Sequence, residues 1–141
     1  MAERFLIDPR LEADTVPVVS LQLCEVRLMN DARFPWLVLV PRRTGLVELF
    51  DLDPQDRPQL LCELEQATTA LGAVVACHKL NIAMLGNNVR QLHIHVVARN
   101  PGDYAWPGPV WGAGTAESYP GDSAQRLCLA LLAHLTNGSE A

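Results

Sequence analysis

Gln91-Leu92-His93-Ile94-His95-Val96 alternates strictly between polar and aliphatic side chains. A period of two is that of a β-strand, in which successive side chains leave on opposite faces. Gln91, His93 and His95 therefore share one face, and Leu92, Ile94 and Val96 the other. The aliphatic face anchors the strand in a core. The opposite face holds two imidazoles about 7 Å apart, a rigid way to present a nucleophile beside a proton donor or a phosphate ligand. Spacing alone also fits two exposed strand histidines, so the surroundings have to decide.

The rest of the chain supplies a sheet and helices around this strand. Residues 1–16 read as a surface segment or a short helix. Pro17 to Asn30 is strand-like, with Cys24, Val26 and Leu28 alternating with Glu25 and Arg27. After the polar turn Asn30-Asp31-Ala32-Arg33, Trp36–Val40 is apolar on both faces. That predicts a central strand covered by a helix on one side and by a partner on the other. Asp53-Pro54-Gln55-Asp56-Arg57-Pro58 is a helix start. Leu60, Leu64, Ala67, Leu71 and Val74 then give the apolar stripe of a long helix ending near Cys77-His78. Lys79–Leu85 is the next strand, and Gly86-Asn87-Asn88 is turn chemistry leading to the motif strand, which should pair with it antiparallel. Residues 104–114, rich in Trp, Pro and Gly, resist regular structure. A last helix is predicted from Ser123, its N-cap, to Thr136, with Asn137-Gly138 as its stop signal. The order predicts an α+β fold with an antiparallel sheet, one long central helix and a C-terminal helix. At 141 residues, with no linker or internal repeat, the chain reads as a single domain, 1–141.

Composition removes several function classes. The net charge of −5 offers no basic excess for nucleic acid or an anionic membrane, and no basic cluster exceeds Arg42-Arg43. No stretch reaches transmembrane length, and no apolar run near the first residues suggests a secretory signal. Cys24, Cys62, Cys77 and Cys128 are scattered among aliphatic residues without a C-x-x-C pair, which predicts four buried thiols in a reducing cytoplasm. His-x-His is also a metal-ligand spacing, but it needs a third ligand. The strand after the motif offers none, and Asp103 lies far along a loop, so neither a metal nor a cofactor is expected. His78 and His134 look incidental.

The motif resembles that of the histidine-triad (HIT) family, His-φ-His-φ-His-φ-φ with φ aliphatic, with Gln91 standing at the first position. Trp36-Leu37-Val38-Leu39-Val40-Pro41-Arg42-Arg43 is similar to the family strand that ends in Pro and basic residues. Leu80-Asn81-Ile82 and Asn87-Asn88 resemble the strand and polar loop before the motif. The match covers most of residues 20–100 in the family's order.

The resemblance implies a HIT-like fold and a hydrolase or nucleotidyl transferase acting at the α-phosphate of nucleoside phosphate derivatives. It would be a phosphoramidase or a dinucleoside polyphosphate hydrolase with a purine nucleotide or nucleotide conjugate as ligand. By resemblance His93 is the nucleophile, forming a nucleotidyl-histidine intermediate, and the Gln91 carbonyl orients it. His95 contacts phosphoryl oxygens and helps the leaving group depart. Asn81, Asn88 and either Asn30 or Asp31 would contact phosphate or ribose, although turn formation also explains the last three. Gln91 and Trp36 stand where relay histidines are common, so the alternative is a nucleotide-binding protein with little turnover. Trp106 and Trp111 would cover a base, seal a subunit contact or fold the loop onto itself. The two-faced apolar strand and the Trp loop together predict a homodimer, as the family also implies.

Overall fold

The computed structural model describes residues 4–139. Five strands form one antiparallel sheet in the order β1-β2-β3-β5-β4. They are β1 (Thr15–Ser20), β2 (Cys24–Met29), β3 (Trp36–Pro41), β4 (Lys79–Ala83) and β5 (Ile94–Arg99). The helices are α1 (Pro9–Asp14), α2 (Arg57–Val74) and α3 (Ser123–Ser139), with one 3-10 turn at Leu49–Asp51. Asp8 caps α1 by accepting the Arg10 N–H at 2.8 Å, and Pro9 suits a first turn whose amides need no helical partner.

β5 lies between β3 and β4, so His95 stands opposite Val38 on one side and Ala83 on the other. Its placement in mid-sheet follows from side chains buried along its whole length. The pairing of β4 with β5 is antiparallel, as the turn Gly86-Asn87-Asn88 predicted. Gly86 takes a φ of +82°, where a Cβ would be strained. The ladder begins at Ile94, so His93 sits just before the strand rather than within it. There the Leu92 N–H turns aside to the Leu46 carbonyl at 3.0 Å.

The strand-like stretch 17–30 is two strands. No Gly, Pro, Asn or Asp marks the turn between them, because a distant residue builds it. Glu63 on α2 is fully buried, and its two carboxylate oxygens accept the Leu23 and Cys24 N–H groups at 2.8 and 2.7 Å. A third hydrogen bond comes from Gln59 at 2.6 Å, so the buried carboxylate is satisfied by donors. α2 stops at Val74, short of Cys77-His78, and α3 continues past Asn137-Gly138 to Ser139.

α2 and α3 cover one face of the sheet, where Val26, Leu28, Leu37, Leu39, Ile94 and Val96 of the strands meet Leu60, Leu71, Leu131 and Leu135. The other face of β3 was expected to need a partner, and it does not. Trp36, Val38, Val40 and Val97 pack against Leu11, Phe34 and Val110, with Phe5, Ile7 and Trp111 at the margin. The chain's own first segment and its Trp-rich loop close that face, which removes one argument for a dimer. Cys24 and Cys128 are buried and Cys77 partly so, but Cys62 is exposed on α2, contrary to the expectation of four buried thiols; all four are free. Among the described residues no helix is long and apolar enough to cross a membrane.

Candidate functional site

A cavity of about 690 Å³ opens over the motif. Its floor includes His93, His95 and Trp36, and its walls come from α1, the β2–β3 connection, the β4–β5 loop and the stretch 110–118. The two imidazoles lie edge to face with centroids 4.8 Å apart, both almost fully buried.

Their hydrogen bonds assign opposite tautomers. His93 Nδ1 lies 2.6 Å from the Gln91 carbonyl oxygen. A carbonyl only accepts, so Nδ1 carries the proton and Nε2 keeps a lone pair. His95 Nδ1 lies 3.0 Å from Trp36 Nε1. An indole N–H only donates, so here Nδ1 holds the lone pair and Nε2 the proton. Burial, reinforced by the neighbouring His93, pushes the His95 pKa down to about 4. One ring can thus offer a lone pair and the other an N–H, side by side on a rigid support.

A folding penalty follows from the His95 shift. The folded pKa near 4 lies below the ordinary 6.5, so the unfolded chain binds more protons between those values and stability falls as pH is lowered through that window. Above pH 6.5 the group contributes no slope. Asp31 and Asp103 are also held below the ordinary carboxylate value, which adds to the loss at still lower pH. Chemical denaturation from pH 7.5 to 4.5 should show a fall that is smaller by about 2 kcal/mol in His95→Gln. An equal fall in both proteins would remove His95 as its source.

The other candidates separate in space. Asn88 and Asn30 line the cavity, and Asn30 Oδ1 also accepts the Tyr119 N–H at 2.9 Å. Asp31 borders the cavity but is 2 % exposed. Its carboxylate binds the Arg33 guanidinium at 2.8 and 2.9 Å and faces the Glu117 N–H at 3.4 Å. Burial alone would raise its pKa; the bonds to Arg33 and to the backbone outweigh that and lower it. This geometry makes Asp31 a brace for the 113–117 stretch, because Arg33 also donates to the Ala113 carbonyl at 2.5 Å.

Asn81 is not part of the cavity wall; its Oδ1 accepts from Arg99 Nη1 at 2.8 Å. The Gln91 side chain also leaves the cavity. It clamps the segment before α1, accepting the Asp8 N–H at 2.8 Å and donating to the Leu6 carbonyl at 2.9 Å. A histidine here would lose that clamp, so Gln91→His is no simple restoration of a relay.

Trp111 packs edge-on against both Trp36 and His95, with centroids 6.0 and 5.4 Å away. Trp106 lies elsewhere, over Arg99 and against His78. Sequence reasoning missed Arg33 and the bond from Trp36 to His95. For Arg33 the nearby Asp31 was a usable signal; for Trp36 nothing local pointed across the sheet. Among the described residues no group of three or more His, Cys, Asp or Glu side chains is arranged to hold a metal ion.

A family model described as HIT domain matches residues 10–102. A solved histidine triad protein from Sinorhizobium meliloti is 46% identical, over 93% of this chain and 97% of that one, with a TM-score of 0.90. One from Bradyrhizobium japonicum is 41% identical over 94% and 99% of the two chains, with a TM-score of 0.91. A third, from Marinobacter aquaeolei, is 37% identical over 96% and 98%, also with a TM-score of 0.91. No curated protein matches the chain. The fold is that of an α+β protein carrying two neighbouring histidines, one just before β5 and one within it, over an open cavity. This chain belongs to the histidine triad family.

Proposed function

We propose that this single-domain protein binds a purine nucleotide or nucleotide conjugate in the cavity over β5 and transfers its nucleotidyl group through His93. The observation that carries this reading is the 2.6 Å contact between His93 Nδ1 and the Gln91 carbonyl, which leaves Nε2 as a lone-pair nucleophile beside the His95 N–H. Attack on the α-phosphorus forms an N–P bond and expels the leaving group. Water then cleaves the N–P bond and returns the electron pair to Nε2. His95 Nε2–H stabilises charge on a non-bridging phosphoryl oxygen. The phosphate is held by neutral donors, Asn88 and loop amides, because Arg33 at the cavity wall is paired with Asp31. Free thiols support a cytoplasmic setting.

The alternative is a nucleotide-binding protein with little turnover, favoured by the absence of a titrating side chain at Gln91 and Trp36. Both readings require binding. A nucleoside monophosphate at about 100 times its dissociation constant should add about 2.7 kcal/mol of stability and raise Tm by several degrees, with weak dependence on salt. No shift with adenosine or guanosine monophosphate at millimolar concentration would defeat both.

A homodimer is proposed as well, supported by the unpaired edge of β4 and by Ile82, Met84 and Leu85, which stand 41–48 % exposed along or just beyond it. Light scattering at micromolar concentration should give the mass of two chains; the mass of one would refute it.

A further inference from the structure

We infer that Trp36 is a positioning residue that fixes His95 as a neutral Nε2–H donor, and that the site is thereby suited to nucleotidyl anhydrides rather than nucleotidyl amidates. The inference rests on the functional reading above and narrows its substrate class.

The bond from Trp36 Nε1 to His95 Nδ1 is 3.0 Å long and joins side chains 7 % and 5 % exposed. Water cannot readily replace either partner. Both rings are held on their other sides. Trp36 begins β3 opposite Val97 of β5, and it packs edge-on against Phe34 at 6.5 Å and Trp111 at 6.0 Å. His95 is flanked by Trp111 at 5.4 Å and His93 at 4.8 Å. Rotating the imidazole by half a turn would set a carbon against the indole N–H and leave a buried donor without a partner. Protonating Nδ1 would do the same, since an imidazolium Nδ1–H and an indole N–H cannot share one bond.

The consequence for chemistry is specific. A general acid must carry a second, labile proton, and His95 held by Trp36 has none. Its Nε2–H can hydrogen-bond to developing negative charge but cannot be delivered. In an anhydride, His93 Nε2 forms the N–P bond, the bond from phosphorus to the bridging oxygen breaks, and the leaving phosphate or carboxylate takes the electron pair as a stable oxyanion. No proton has to move. In an amidate of an alkyl amine, the nitrogen must gain a proton as the P–N bond breaks, and this site holds no acid for it beyond solvent. Gln91 offers none, because its amide does not titrate and its side chain is engaged with Leu6 and Asp8.

The test combines spectroscopy with two substrates. Imidazole ¹⁵N NMR of the full chain, in wild type and Trp36→Phe, reads the His95 tautomer without any turnover. Wild type should show an unprotonated Nδ1 and a protonated Nε2, and Trp36→Phe, which keeps a ring in the same packing, should show a mixture of tautomers. Kinetically, kcat/KM for diadenosine tetraphosphate should exceed that for adenosine monophosphate linked to an alkyl amine by about 100-fold or more, the scale of a missing general acid. Trp36→His, which exchanges the fixed donor for a titratable ring, should narrow that ratio at least about tenfold. A wild-type proton on His95 Nδ1, an unchanged spectrum in Trp36→Phe, or equal turnover of the two substrates would overturn the inference. No turnover of either substrate would defeat the functional reading instead, while the spectrum would still decide what Trp36 does.

Discussion

If His93 is the nucleophile proposed above, His93→Ala should lower kcat for nucleotidyl transfer at least about a thousandfold, because removing a covalent nucleophile deletes the reaction path rather than weakening a contact. Structural damage should be slight. The ring lines the cavity and, among the described residues, its one hydrogen bond is to the Gln91 carbonyl at 2.6 Å, so losing that bond and the packing on His95 should cost about 1–3 kcal/mol, less than the stability of a domain this size. Nucleotide affinity should survive largely intact, since Asn88 and the loop amides remain. His95→Ala should reduce kcat by a smaller factor, as loss of a charge-stabilising donor does. A variant that loses affinity and turnover in proportion would point to a binding role for His93 instead.

Arg99→Ala should destabilise the protein by about 3–5 kcal/mol, a large part of the stability of a domain this size. The guanidinium is 2 % exposed at the end of β5. It donates to Asp103 at 2.8 and 3.0 Å, to Asn81 at 2.8 Å and to the Gly108 carbonyl at 2.7 Å. It also lies over the rings of Phe34 and Trp106. Truncation would leave a cavity and strand the Asp103 carboxylate, whose pKa its bond to Arg99 now lowers. Lysine cannot substitute, because one ammonium cannot reach this planar set of acceptors. The loop held by Arg99 leads directly to Trp111, which flanks His95, so activity should fall along with stability. Urea midpoints for wild type, Arg99→Ala and Arg99→Lys measure the effect; a loss below about 1 kcal/mol would show that the network contributes little.

Much of this architecture was legible because it is written in local periodicity. The alternation at 91–97 gave the histidine face, the continuous apolar run at 36–40 gave a central strand, and the three-and-four spacing from Leu60 gave α2. What escaped was written across distance. The turn at 21–23 has no turn residue because Glu63, about forty positions away, supplies its acceptor. The second face of β3 looked unpartnered because its cover, the Trp-rich loop and the first segment, has no regular period to read. Gln91 was read only for the relay it lacks, and its amide also reaches back more than eighty residues to fasten the segment before α1. Trp36 appeared to be another loss, and its donor proves to face His95 across the sheet. A strand pattern gives the face of a side chain, but its hydrogen-bond partner comes from the neighbouring strand and depends on register.

The most direct test is to look for the covalent intermediate. The protein is mixed with diadenosine tetraphosphate, quenched without acid within the first turnovers, and analysed by intact mass followed by peptide mapping. Nucleotidyl transfer through His93 predicts a transient added adenylate on the peptide containing that residue, absent in His93→Ala. Turnover with no adduct at any time point, or an adduct that persists in His93→Ala, would contradict it.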